Sequence, residues 1–246
     1  MTLTQYSDNQ WKGACRLELQ TQIFQAIQNQ AVVLKNGLTS KVWFHSETQF
    51  VVKHFKARSQ SSILPQLRKP RAQRAAENAA LFIDKGFQTP RVLAYFKDKN
   101  EKDSSFLVTE QALGQALEER LLSKTLDPTI VIHWLARLHK AKLFHRDLKR
   151  SNLFIHNQEI IAIDLDSLVF NPLRTLEAIS KDLGMLLSSA GGVFSNSELE
   201  KLARLYQDQR QVSERDFQSI LQGAITVAKK RFDRGSTPGI GGWPRA

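Results

Sequence analysis

Apolar residues recur with two different periods along the chain, and the change of period separates a strand-rich first part from a helix-rich second part. In the first part a helix is predicted over residues 72–85, ended by Gly86, between the strand over residues 49–55 and the strand over residues 91–96. Residues 1–30 are polar and Gln-rich, and their apolar residues recur at helical spacing, which predicts a helix lying against the sheet. Short runs of β-branched and aromatic residues predict five antiparallel strands, over residues 31–35, 41–45, 49–55, 91–96 and 105–110.

Beyond residue 112 most apolar positions recur at helical spacing. Two short apolar runs, 153–155 and 161–163, predict a pair of strands inside this region. Helices are predicted near residues 116–123, 127–139, 176–189, 197–207 and 214–231, followed by a loose Gly- and Pro-rich tail over 235–246. The pattern as a whole predicts an α+β fold with two domains, residues 1–111 and residues 112–246.

Composition places the chain among folded globular proteins, since 41% of its 246 residues are hydrophobic. The single cysteine, Cys15, excludes an intramolecular disulfide and is expected to be an ordinary thiol. No apolar run approaches the roughly 18 residues of a membrane span. The first residues also lack the layout of a signal peptide. We therefore expect a cytoplasmic protein.

The catalytic chemistry is indicated by one polar stretch, His145-Arg146-Asp147-Leu148-Lys149-Arg150-Ser151-Asn152, and by Asp164 after the next apolar run. This is the H-R-D-x-x-x-x-N spacing of a phosphotransferase catalytic loop, followed by a metal-binding Asp. In that chemistry Asp147 accepts the proton of an attacking hydroxyl, while Asn152 and Asp164 hold Mg²⁺ between the phosphates of ATP. Lys149 can reach the transferred phosphate and stabilise its charge. The motif therefore predicts an ATP-dependent phosphotransferase.

Three residues of the first domain and Ala112, the first residue of the second, are candidates for nucleotide binding. Lys53 follows Val51-Val52 within the strand over residues 49–55 and corresponds to the lysine that binds the α- and β-phosphates. Glu77 on the following helix is its candidate partner. Backbone groups near Glu110 and Ala112 are expected to meet the adenine edge. One expected feature is weak, because the loop after the first strand has a single glycine, Gly37, in place of G-x-G-x-x-G.

A resemblance to a known family rests on several segments together. They are Arg71-Ala72-x-Arg74, Asn78-Ala79, Gly86-Phe87-x-Thr89-Pro90-Arg91, Leu93-Ala94, His145-x-Asp147-Leu148-Lys149-x-x-Asn152 and Ile163-Asp164-Leu165-Asp166. With these segments the chain resembles the bacterial lipopolysaccharide core kinases (the Kdo/WaaP group) over about residues 31–190. The resemblance implies a protein-kinase-like two-lobe fold, with an antiparallel β-sheet N-lobe (residues 1–111) that binds nucleotide and a mainly helical catalytic C-lobe (residues 112–246).

The resemblance also implies a substrate and a place of action. Members of the group use ATP and Mg²⁺ to phosphorylate a hydroxyl of Kdo or heptose in the lipopolysaccharide inner core, at the cytoplasmic face of the inner membrane. A formal net charge of +11 would draw such a protein to this anionic glycolipid and its leaflet. The candidate basic residues are Arg68, Lys69, Arg71, Arg74, Lys229, Lys230 and Arg231.

Two other functions remain open from the residues. The arrangement of Asp147 and Lys149 is also compatible with a small Ser/Thr/Tyr protein kinase, although no long activation loop and no A-P-E triplet follow Asp164. The basic balance is compatible with an inactive kinase fold that only binds membrane or nucleic acid. Nucleic acid is the less favoured partner, because no zinc finger, aromatic RNA-binding signature or glycine-arginine tract is present.

Overall fold

The computed structural model describes residues 2–30, 32–57, 69–189 and 194–233. The chain divides into two compact units: Met1–Asp84 with Thr89–Ala112, and Lys85–Gln88 with Leu113–Ala246. We call them the N-terminal unit and the C-terminal unit. Lys85–Gln88 belongs to the second unit because the backbone N–H of Ala162 donates to the carbonyl of Gln88 at 2.9 Å. The tail predicted over residues 235–246 lies outside the described residues.

The N-terminal unit is built on one antiparallel sheet in which the strands lie in the order β1-β2-β6-β7-β5-β4-β3. The five strands predicted from sequence are present as β3 to β7. The strands are β1 Thr4–Ser7, β2 Trp11–Cys15, β3 Val32–Asn36, β4 Ser40–His45, β5 Phe50–Phe55, β6 Val92–Asp98 and β7 Ser105–Glu110.

The prediction of helix throughout residues 1–30 is wrong for its first half, where β1 and β2 form a hairpin that extends the sheet. A Cβ on Gly13 would lie 1.9 Å from the Tyr95 carbonyl oxygen, so only glycine allows β2 to lie this close to β6. Trp11 and Cys15 of this hairpin belong to the core. Burial raises the pKa of the Cys15 thiol, which agrees with an unreactive thiol.

Two helices complete the N-terminal unit. In α1, Gln20–Gln28, the carbonyl of Ala26 accepts a hydrogen bond from Trp43 Nε1 at 2.7 Å, which fastens the helix to β4. The second helix, α2, spans Arg71–Asp84 close to its predicted range and contacts β6 and β7. Its buried face is mainly alanine, which lets the helix approach the strands closely.

The C-terminal unit is mainly helical, as the apolar spacing predicts. Its helices are α3 Leu117–Leu122, α4 Thr129–Lys140, α5 Thr175–Ser189, α6 Asn196–Arg210 and α7 Glu214–Asp233. Its strands are β8 Gln115–Ala116, β9 Leu143–Phe144, β10 Leu153–His156, β11 Glu159–Ala162 and β12 Val169–Phe170, arranged as β11-β10-β8 and β12-β9. In the part of the chain that the structure describes, no helix has the length and apolarity needed to cross a bilayer.

Helices α5 and α7 pack against each other at Gly184. A Cβ on Gly184 would lie 2.5 Å from the Ala224 carbonyl oxygen and 2.7 Å from Val227 Cβ, so α7 would have to move to admit it.

We expect Gly184→Ala to lower the free energy of unfolding by about 1–3 kcal/mol, the usual cost of overpacking a well-filled contact. Urea unfolding of the purified variant measures it. Gly37→Ala is the matched control, because the atom nearest to a Cβ at Gly37 is the Ser40 carbonyl oxygen at 3.5 Å, an ordinary contact. Equal unfolding free energies for the two variants would contradict the tight α5–α7 contact.

Candidate active site

The predicted catalytic loop, residues 145–152, connects β9 to β10 in the C-terminal unit. Its conformation requires a residue in the left-handed region, and Arg146 takes it with φ of 64°. The loop ends in a 3₁₀ turn over Arg150–Asn152. Such a polar loop inside a folded unit needs partners for its backbone N–H groups.

Asp182 on α5 supplies these partners. Its carboxylate is fully buried and accepts hydrogen bonds from the backbone N–H groups of His145 at 2.8 Å and Arg146 at 2.5 Å. Asp182 therefore has a structural role in the loop. Because two consecutive N–H groups bind one carboxylate, the orientation of the loop follows that of α5.

Asp182 is itself held by a buried chain of side chains. His139 Nε2 on α4 lies 3.2 Å from Asp182 Oδ2, and His139 Nδ1 lies 2.6 Å from the Tyr206 hydroxyl on α6. Burial lowers the pKa of His139 and raises that of Tyr206, so both are neutral near neutral pH. The arrangement assigns the protons: Tyr206 donates to Nδ1, and Nε2–H donates to Asp182. His139 is therefore a core histidine.

The hydrogen-bonded side chains of Tyr206, His139 and Asp182 make the free energy of unfolding depend on pH. Because the pKa of buried His139 lies below its usual value of about 6.5, the unfolded chain binds a proton in mild acid that the folded chain does not bind. The free energy of unfolding should then fall as the pH drops below about 6.5. His54 in the N-terminal unit contributes in the same direction, since burial lowers its pKa too.

The variant His139→Gln isolates the contribution of the His139 imidazole to this pH dependence, because an amide can donate to Asp182 and accept from Tyr206 without titrating. We expect it to lose less stability than the wild type between about pH 7.5 and pH 5.5, measured by urea unfolding at both values. Exposed His133 on the same helix provides the control variant His133→Gln. The same pH dependence in His139→Gln and the wild type would count against a neutral, buried imidazole.

Asp147, Lys149 and Asn152 lie together on the loop. Lys149 Nζ contacts Asp147 Oδ2 at 2.8 Å, and both side chains are about 30% exposed, so they are open to solvent. Asn152 is buried, and its Nδ2 donates to the Asp147 carbonyl at 2.9 Å. This bond commits the amide nitrogen and leaves Oδ1 as the atom that Asn152 can offer to a cation.

Asp164 is connected to the same loop through its neighbour, Ile163. The Ile163 N–H donates to the Asn152 carbonyl at 2.9 Å, and the Ile163 carbonyl accepts from His145 Nε2 at 2.9 Å. Asp164 itself takes a left-handed conformation, with φ of 65°. His145 thus braces the backbone next to Asp164, and Ile163 joins Asp164 to both ends of the loop.

The oxygen ligands in this unit fit Mg²⁺ carried by nucleotide phosphates. Mg²⁺ in such sites takes one or two carboxylates from the protein and its other ligands from phosphate and water. Asp164 offers a carboxylate and Asn152 an amide oxygen. Among the described residues no three or more His, Cys, Asp or Glu side chains form a group that could hold a metal. Asp164 and Asn152 are the residues that would hold such an ion, with nucleotide phosphates and water as its other ligands.

The nucleotide-binding candidates lie in the N-terminal unit. Lys53 is on β5, paired in register with Leu107 of β7, and its Nζ lies 4.7 Å from the centre of the Phe55 ring. Glu110 ends β7, and its N–H donates to the Arg91 carbonyl at 3.0 Å. Ala112 is the last residue of the unit. The roles of Lys53, Glu110 and Ala112 stay predictions.

Glu77 has a different partner from the predicted one. Its carboxylate binds Lys69 Nζ at 2.8 Å and Gln73 Nε2 at 3.1 Å, and it is exposed rather than directed at Lys53. The reason is helical phase: Ala75, Ala76 and Ala79 form the buried face of α2, and Glu77 falls on the opposite side. Sequence spacing could not settle this phase, because a run rich in alanine marks no single face.

The basic residues before α2 are partly engaged within the N-terminal unit. Lys69 pairs with Glu77, and the Arg71 guanidinium lies 4.5 Å from the centre of the Phe55 ring. Arg68 lies outside the described residues. At the other end of the chain Lys229 and Lys230 are exposed, whereas Arg231 Nη1 lies 2.8 Å from Met185 Sδ. The basic segment before α2 is therefore less available to anionic lipid than its composition suggests.

Two residues near the loop escaped sequence reasoning. Tyr206 was an ordinary apolar position of a predicted helix, and only the fold brings it to His139. Lys181 precedes Asp182. Burial is the main cause that lowers the pKa of its ammonium group, and the positive charge of nearby Arg146 lowers it further. Asp147 lies near enough to act on Lys181 in the opposite direction. No local motif marks either residue.

Comparisons with known proteins give a match in structure and none in sequence, since neither a family model nor a curated protein matches the chain. The structure is similar to that of WaaP solved in complex with acyl carrier protein, with a TM-score of 0.61 at 18% identity. That match covers 94% of this chain and 99% of the WaaP chain. WbdD is similar at a TM-score of 0.48 and 21% identity, over 79% of this chain and 45% of its own.

The likeness to WbdD is too low to carry an argument, whereas that to WaaP extends over nearly all of both chains. At 18% identity the likeness to WaaP establishes the fold alone. It confirms the fold that the resemblance in the sequence motifs predicts. The chain has the α+β, protein-kinase-like fold of WaaP.

Proposed function

We propose that this protein is an ATP-dependent kinase that transfers the γ-phosphate to a hydroxyl of a lipopolysaccharide inner-core sugar, Kdo or heptose. The observation that carries the proposal is that Ile163, the residue before Asp164, is hydrogen-bonded to both ends of the loop that contains Asp147 and Asn152. The fold shared with WaaP and the family motifs in the sequence support it.

In the proposed reaction Asp147 orients the acceptor hydroxyl and takes its proton as the oxygen attacks the γ-phosphorus. The new oxygen–phosphorus bond forms as the bond to ADP breaks. Lys149, already at 2.8 Å from Asp147, stabilises the charge on the transferred group. Asn152 and Asp164 would hold Mg²⁺, which when bound would neutralise charge on the phosphates. Lys53 positions the nucleotide phosphates, and backbone groups near Glu110 and Ala112 meet the adenine.

The proposed acceptor is lipid-anchored, so the proposed place of action is the cytoplasmic face of the inner membrane. The net charge of +11 supports peripheral contact with an anionic leaflet, because each well-placed Lys or Arg adds about 1 kcal/mol to binding.

The direct test uses the purified protein, ATP, Mg²⁺ and deacylated core oligosaccharide, with the product followed by mass spectrometry. We expect a mass gain of one phosphate that disappears when EDTA removes the metal or when ATP is omitted. Parallel reactions with peptide mixtures test the protein-kinase alternative. Phosphate on Ser, Thr or Tyr without any mass gain on core fragments would refute the proposed acceptor while leaving the phosphotransferase chemistry intact.

A further inference from the structure

Three large apolar side chains are exposed within one short segment directly after the proposed metal site. Phe170 is 52% exposed, Leu173 105% and Leu176 38%. We call these three residues the apolar patch. Exposure above 100% means that Leu173 protrudes more than it would in an extended peptide. A cluster of this kind marks an interaction site more often than a scattered single residue does.

The patch is held in place by the backbone beneath it. Phe170 ends β12, which pairs with β9 so that Phe170 lies opposite Leu143, two residues before His145. The next N–H, of Asn171, donates to the Lys142 carbonyl at 2.8 Å. The patch thus protrudes from a fixed position beside the catalytic loop.

Positive charge surrounds the patch. Lys85 Nζ lies 5.9 Å from the centre of the Phe170 ring, and Lys142, exposed, is joined to Asn171 through its carbonyl. Arg174 is also exposed, although Glu177 pairs with it at 3.1 Å and reduces its net contribution. Apolar groups flanked by basic groups match the interface of an anionic bilayer, where acyl chains lie below phosphate headgroups.

The shape of the patch favours a bilayer over a protein. A protein partner would need a fitted hollow for Leu173 and, for a stable complex, burial of about 1,200 Å² or more. Three apolar side chains interspersed with Asn171 and Arg174 offer no such continuous surface, whereas a bilayer interface accepts each one separately.

We propose that the apolar patch, with Lys85 and Lys142, inserts into the interface of an anionic phospholipid bilayer. The insertion brings the catalytic loop to the membrane surface, where a lipid-anchored acceptor would lie. This reason for insertion rests on the proposed function, whereas the binding itself can be measured without it.

The test measures co-sedimentation of the full chain with vesicles of phosphatidylcholine, alone or with about one-third phosphatidylglycerol. We expect binding to the anionic vesicles that weakens as salt rises from about 0.05 to 0.5 M. Leu173→Ser should weaken it about tenfold, since a leucine no longer enters the apolar layer. Leu122→Ser is the matched control, because Leu122 is 62% exposed on a different element, α3, and it should bind like the wild type.

The outcomes separate this inference from the proposed function. Asp147→Asn should bind vesicles like the wild type, and Leu173→Ser should phosphorylate water-soluble core oligosaccharide normally if the proposed function holds. Loss of vesicle binding in Leu173→Ser supports insertion even if no sugar is ever phosphorylated. Equal vesicle binding by Leu173→Ser and Leu122→Ser overturns the inference. So does conversion of a dimer to a monomer by Leu173→Ser with vesicle binding unchanged, since the patch would then contact a second copy.

Discussion

Asp147→Asn should lower kcat for phosphate transfer by about 10²–10⁴-fold, because the amide cannot take the proton of the acceptor hydroxyl. The substitution keeps the size of the side chain, and the loop is held through backbone groups of His145 and Arg146 rather than through Asp147. We therefore expect little change in the unfolding temperature or in KM for ATP. Steady-state kinetics with core oligosaccharide gives both constants.

The control for this variant is Asp208→Asn, which removes an exposed carboxylate from α6 in the same unit. It should retain wild-type kcat. Retention of wild-type activity by Asp147→Asn would show that another group accepts the proton, and the proposed mechanism would have to be abandoned. A fall in activity together with a fall in unfolding temperature would instead show that Asp147 stabilises the fold.

Asp182→Ala should have the largest effect on stability. It leaves the buried N–H groups of His145 and Arg146 and the Nε2–H of His139 without their acceptor. At about 1–3 kcal/mol for each orphaned buried donor, partly offset by relaxation and by water, we expect a loss of about 3–5 kcal/mol. In a chain of this size that corresponds to about 10 °C in unfolding temperature.

Activity should fall with stability in Asp182→Ala, because the loop that carries Asp147 and Asn152 loses its anchor on α5. Kinetics measured at a temperature where the variant is still folded separates the two effects. The control is Asp216→Ala in the first turn of α7. The Asp216 side chain is partly exposed, and its loss should cost about 1 kcal/mol or less. Stability of Asp182→Ala equal to that of the control would contradict the anchoring role.

The proposed catalytic residues of the C-terminal unit could be chosen from sequence spacing because they are local. Asp147, Lys149 and Asn152 lie within one loop, so their separation along the chain limits their separation in space. The next strand then returns Asp164 to the loop, since β10 and β11 pair in a tight hairpin. The same locality explains why the five strands β3 to β7 could be predicted from residue patterns.

Predictions that depended on the phase of an element were less secure. Glu77 was assigned to Lys53 on spacing alone, and the buried alanine face of α2 turns it toward Lys69 instead. The first residues were predicted to be helical because their apolar positions are few. The structure instead pairs β2 with β6, which is possible only because Gly13 leaves room for the Tyr95 carbonyl. Backbone pairing between distant segments leaves little trace in the composition of either one.

By itself the sequence determined the proposed catalytic residues, the basic balance and the resemblance to a family of kinases, because these depend on residue types at short separations. The tertiary structure alone decided what holds the reactive loop, since Asp182, His139 and Tyr206 come from three helices. It also decided which apolar side chains stay outside the core, as at Leu173. Burial and long-range hydrogen bonding are properties of the folded chain, and no spacing rule contains them.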